Sequence, residues 1–158
     1  MKHTSFLLLL LSFSLLLPLA GCSAGGGSAR ARLESILSLC PALPSGSIYD
    51  SAAKDWESEA LPSTIRQNIY QNRDSESAFS LADSYAVFFA GGIGGGEAAV
   101  FIAEDPAVRE GLGEICAMRL SLLRASLSDG DRGACVLQEG NAVILLFLPG
   151  SDEIRRAL

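Results

Sequence analysis

Apolar positions along the chain fall into runs whose spacing predicts most of its elements. Residues 6–17 are almost continuously apolar, broken by Ser12 and Ser14 and closed by Pro18. Within 29–40, Leu33, Ile36, Leu37 and Cys40 recur at helical spacing until Pro41 and Pro44 end the pattern, which predicts a short amphipathic helix. A second short helix is expected over 62–71, opened by Pro62-Ser63 and carrying Ile65 and Ile69 with Tyr70 beside them. The run 83–90, with Tyr85, Val87, Phe88 and Phe89, and the run 97–103, with Val100, Phe101 and Ile102, predict two strands of a hairpin around the glycine-rich segment 91–96. After Asp105-Pro106, a strong helix start, Val108, Leu112, Ile115, Cys116, Leu120, Leu123 and Leu127 mark one face of the main helix. Segments 134–138 and 142–148 pair across Glu139-Gly140-Asn141, and the second is apolar on both faces, as a central or covered strand is. A last helix opens at Ser151-Asp152-Glu153 and ends in Arg155-Arg156, charges placed to suit its dipole.

Two hairpins joined by one long amphipathic helix imply an α+β fold. The expected form is a two-layer sandwich: a four-stranded, mainly antiparallel sheet with helices on one face. The stretch 43–59 is mixed and predicts no element. Its Trp56, the sole tryptophan, stands among Asp55, Glu57 and Glu59 and is expected to be a lid over the core edge, because tryptophan is usually largely buried.

The apolar run 6–17 follows a positive start, Met1-Lys2-His3, and precedes Leu19-Ala20-Gly21-Cys22. It is shorter than the ~20 residues that span a bilayer. Together these features predict a lipoprotein signal over 1–21, with Cys22 taking a diacylglyceryl group at its thiol before cleavage and a palmitate-type acyl chain thereafter. Residues 22–28, with Gly25-Gly26-Gly27, then form a lipidated flexible tether, and 29–158 form a single domain. The expected location is the cell membrane, lipid-anchored on the extracytoplasmic face.

Charge narrows the partners. Cleavage would remove one of the 12 basic residues, Lys2, and none of the 18 acidic ones, so the formal charge moves from −6 to −7. An acidic surface repels phosphate backbones, so no nucleic-acid partner is expected and membrane attachment comes from the lipid on Cys22. The single histidine, His3, leaves with the signal, which takes Ser-His-Asp and Cys-His pairs and the commonest transition-metal ligand with it. The acids Asp129 and Asp131 lack the third oxygen ligand and distant glutamate of a calcium loop, and the glycines at 91–96 lack phosphate-loop spacing and a following helix. No metal or cofactor is therefore expected. Cys40, Cys116 and Cys135 remain; Cys116 and Cys135 could meet as a disulfide between the main helix and the strand after it, and the alternative is that all three are small buried hydrophobes.

The stretch 48–158 resembles the small Gram-positive-type bacterial lipoproteins that carry a domain of unknown function. The resemblance rests on Ser84-Tyr85-Ala86-Val87 leading to Ala99-Val100-Phe101-Ile102-Ala103, on Arg119 in the main helix, and on Glu139-Gly140-Asn141-Ala142-Val143. Here the segment between the first two strands is richer in glycine than that pattern, and 129–133 stands where it holds an aromatic. The resemblance implies the architecture and brings no assigned function. From the residues, a non-enzymatic interaction or ligand-binding module of the cell envelope is expected, with an unidentified envelope protein or polymer as partner and Arg119 as candidate binding residue. Two alternatives stay open: an envelope hydrolase using paired carboxylates drawn from Glu97, Glu104 and Asp105, and a thiol-redox protein using Cys116 and Cys135.

Overall fold

A computed structural model describes residues 28–72, 76–91, 96–126 and 133–158. The signal, Cys22, most of the tether, residues 73–75, residues 92–95 of the glycine-rich segment, and residues 127–132, which hold Leu127 and most of the expected turn, lie outside the described residues.

Helix α1, Ala29–Ser38, begins where the Ser28 hydroxyl accepts the Ala31 N–H, and it buries Ala29, Leu33, Ile36 and Leu37 on one stripe. Strand β1, Gly46–Asp50, follows. Helices α2, Ser63–Asn68, and α3, Ala78–Leu81, are single short pieces. Strands β2, Ser84–Ala90, and β3, Glu97–Ile102, form the expected hairpin. Helix α4, Pro106–Ser126, is capped by Asp105, whose Oδ1 accepts the Ala107 N–H at 2.8 Å. It is tied back to the end of β3 by Arg109, which donates to the carbonyls of Ala103 and Glu104, both at 2.7 Å. Strands β4, Cys135–Glu139, and β5, Ala142–Phe147, turn at Gly140, whose φ of 60° is the left-handed conformation a tight hairpin requires. Helix α5, Ser151–Ala157, follows β5.

The fold is α+β, with an open, wholly antiparallel sheet of five strands in the order β1-β2-β3-β5-β4. The expectation of four strands missed β1, which pairs Ile48 with Phe88 along the edge of β2. The expectation of two layers with helices on one face is also corrected. Alternation along the strands sends Val87, Ala99, Phe101, Val143 and Leu145 to one face, where Leu112, Ile115, Cys116 and Leu120 of α4 cover them. It sends Ala86, Phe88, Val100, Ile144 and Leu146 to the other, covered by Leu33, Ile36 and Leu37 of α1 and Ile154 of α5. Every residue of β3 and β5 is buried, so their apolar character on both sides demands a second helical layer. Each fully buried leucine or isoleucine contributes about 1.5–3 kcal/mol, which makes α1 a substantial part of the core. Trp56 is no lid: it is 80 % exposed.

Among the described residues, no helix is long and apolar enough to cross a membrane.

Candidate functional site

The most concentrated buried polar chemistry sits at the first residue of β3. Odd-numbered positions of β3 face α4, and Glu97 shares that face with Ala99 and Phe101, so its carboxylate points into an apolar layer and is only 3 % exposed. Arg119 lies four and three residues beyond Ile115 and Cys116, on the side of α4 that meets the sheet. Its Nε and Nη2 donate to the two oxygens of Glu97 at 3.0 and 2.6 Å, the bidentate fork that best satisfies a carboxylate. The Tyr70 hydroxyl donates to Oε1 of Glu97 at 2.5 Å. Tyr70 reaches it from a left-handed backbone, φ 61°, with its ring packed edge-on against Phe79 and Phe101 at 5.5 and 5.2 Å between centroids.

Electrostatically the cluster is closed. Burial disfavours the Arg119 charge, but the hydrogen bonds and charge of Glu97 outweigh it and hold the guanidinium ionised, with its pKa raised. Burial first, then the Glu97 charge, pushes the Tyr70 phenol well above its ordinary value, so it keeps its proton. Arg119, the candidate binding residue of the sequence, thus has its fork filled from within the molecule, and its side chain is 20 % exposed. The arrangement fastens α4 and the 69–72 segment to the sheet.

Glu97 does not converge with the other candidate acids. Glu97 and Glu104 lie at opposite ends of β3, roughly 23 Å apart at strand rise, far beyond the ~5–9.5 Å that glycoside hydrolysis needs. Glu104 Oε1 accepts the Asn141 side-chain amide, and Asp105 caps α4. The thiols are likewise separated. Cys40, Cys116 and Cys135 are all free. Cys116 belongs to the layer under α4 and Cys135 to the layer under α1, so the pairing considered from the sequence would have to cross the sheet. Burial, then the Glu97 charge, pushes the Cys116 thiol up, and burial does the same for Cys135, which opposes thiolate formation.

Two surface features lie where the chain enters from Cys22. Arg30 Nη1 donates to Oδ2 of the buried Asp50 at 2.7 Å and Arg32 Nη2 to Oε2 of Glu139 at 2.6 Å, which bind the first turn of α1 to β1 and β4. Asp50 Oδ1 accepts the N–H groups of Ala52 and Ala53, and the Asp50 N–H donates to the Glu59 carbonyl, closing a loop over 51–60 beside that turn. Trp56 projects from this loop with Lys54 Nζ 5.4 Å from its ring centroid. Asp55, in the same loop, is 3.8 Å from Arg66 Nη2. Arg66 in turn lines an open cleft of about 380 Å³ with Gln67, Gln71, Glu76, Ser77 and Ser80, and its Nε is buried without a hydrogen-bond partner. Sequence spacing placed Tyr70 only beside the apolar positions of the helix expected over 62–71 and did not single out Arg66: their surroundings are assembled by segments distant in the chain.

No family model, curated protein or solved structure matches the chain.

Proposed function

We propose that this is a lipid-anchored protein of the extracytoplasmic face of the cell membrane, of the lipoprotein kind it resembles, and that its folded domain works by binding an envelope protein or polymer. The observation that carries the reading is Leu19-Ala20-Gly21-Cys22 behind the apolar run 6–17, six residues ahead of the Ser28 cap of α1. A stable domain then begins at once beyond the anchor. Two acyl chains or more give durable attachment where one does not. For the binding half, support comes from the Arg66 cleft, an open surface hollow of about 380 Å³ lined by amide, hydroxyl and charged groups with Leu81. The buried Glu97, by contrast, is fully engaged with Arg119 and Tyr70, and no observation favours the hydrolase or thiol-redox alternatives.

Metabolic labelling with an alkynyl fatty acid and fractionation test the anchor. Wild type is expected in the membrane fraction with label, and Cys22→Ala without label and either released or misprocessed; a labelled, membrane-bound Cys22→Ala variant would refute it. Crosslinking from the tethered domain in intact cells tests binding. A saturable product that weakens in Arg66→Glu is expected, and background alone would withdraw the binding reading.

A further inference from the structure

We infer that the loop 51–60 rests on the lipid surface, with the Trp56 ring at headgroup level and Lys54 beside it, so that the domain stands on its tethered end. The inference depends on the Cys22 anchor proposed above. Its first support is exposure. Trp56 is the chain's only tryptophan and is 80 % exposed, above every other large exposed hydrophobic among the described residues, the next being Leu122 at 64 %. An indole left in water without a packing role is costly, and an apolar ring with one N–H donor is the side chain best suited to a membrane–water interface.

The second support is position. Ser28 caps α1; two residues on, Arg30 holds Asp50, and Asp50 both opens the 51–60 loop and receives its return at Glu59. Cys22 precedes Ser28 by six residues, which extend to roughly 20 Å at most. An anchor on so short a lead brings this end of the domain, and the loop with it, to the membrane; the far end of α1, with Leu39, is turned away.

Charge decides what kind of surface. The loop carries Lys54 against Asp55, Glu57 and Glu59. Asp55 faces Arg66 at 3.8 Å, Glu57 accepts the Lys54 N–H, and Glu59 accepts the Ser58 hydroxyl, but Asp55 and Glu57 stay exposed, so the loop is net acidic and gains nothing from anionic lipid. Contact is therefore driven by the ring, with the Lys54 stem lying along the interface and its ammonium among phosphates. Zwitterionic headgroups suffice.

Because Trp56 is unique, its own fluorescence is the probe. The mature lipoprotein is placed in vesicles of phosphatidylethanolamine and phosphatidylglycerol with brominated acyl chains, and acylation is read from its intact mass. Quenching by bromolipid, reduced quenching by aqueous acrylamide compared with Cys22→Ala protein in buffer, and no gain in either as the phosphatidylglycerol fraction rises are expected. A Trp56→Phe, Leu39→Trp reporter should stay open to acrylamide and untouched by bromolipid. Protein lacking lipid on Cys22 overturns the anchor and this inference together. An acylated protein whose Trp56 remains open to acrylamide overturns the loop contact alone, as does bromolipid quenching at the Leu39 position. Protection of Trp56 in native membranes but not in pure lipid assigns the loop to a protein and overturns the lipid as its occupant.

Discussion

Breaking the Glu97–Arg119 pair from one side should cost far more than removing both partners. Arg119→Ala leaves a carboxylate that is 3 % exposed with the Tyr70 hydroxyl as its remaining partner, in place of three hydrogen bonds and a cation. Stranding one member of a buried pair costs about 3–5 kcal/mol. Arg119 keeps 20 % exposure, so water can partly replace it, and the low end, about 3 kcal/mol, applies. Glu97→Leu with Arg119→Leu, made in a Tyr70→Phe background so that no buried hydroxyl is left without its acceptor, removes both charges and fills the space with apolar volume, a change that is often close to neutral. With a urea slope of about 2 kcal/mol/M, the single variant should lose about 1.5 M in midpoint and the double variant little. Urea unfolding of the non-acylated Cys22→Ala protein, followed by far-UV circular dichroism, measures this; Trp56 already faces water and would report poorly. If Arg119→Leu and Glu97→Leu, each also made singly in that background, sum to the double within ~0.5 kcal/mol, the partners are not coupled and the reasoning is refuted.

Other outcomes follow from neighbouring features. Leu33→Ala, at a fully buried position of α1, should cost about 2–5 kcal/mol and speed proteolysis near 29–45; an effect under ~1 kcal/mol would mean that α1 is not part of the cooperative core. Burial opposes the Asp50 charge, but Arg30 and the Ala52 and Ala53 N–H groups outweigh it and lower its pKa. Its stabilisation is thus present above the ordinary carboxylate pKa of about 3.9 and is lost as pH falls through the lower folded value. Asp50→Asn should flatten the acid limb of stability against pH, and a parallel limb would contradict this. Native protein should show Cys40 and Cys116 unreactive to Ellman's reagent and Cys135 slow, with all three reacting in denaturant; prior reduction should make no difference.

What the sequence disclosed, and what it hid, follows the range of the interactions. The α4 stripe and both hairpins are written in neighbouring residues, and spacing alone recovers them. Strand β1 has only Ile48 and Tyr49 as apolar content, and it is a strand because β2 offers it an edge. The second helical layer was implied by β5, apolar on both sides, yet the helix that supplies it stands more than a hundred residues earlier. Glu97 stood out only as a candidate hydrolase acid, not as the partner of Arg119. Only the crossing of α4 brings Arg119, 22 positions away, over it, although the phase of Arg119 with Ile115 and Cys116 hinted that it faces inward. Trp56 misled because composition predicts average burial, and a loop that turns on its own backbone can present a large ring to water.

The ionic clasp of α1 has a mechanical side. For a domain held at Cys22, any pull between membrane and partner enters the fold at Ser28 and must pass through α1 before it reaches the sheet. Arg30–Asp50 and Arg32–Glu139 grip the first turn at two strands near opposite edges, so the load divides between them. Behind them the Leu33, Ile36 and Leu37 stripe can be peeled a turn at a time. Traction would therefore lift α1 and uncover its share of one face of β3 and β5, where Ile154 of α5 also packs, while the α4 face stayed covered.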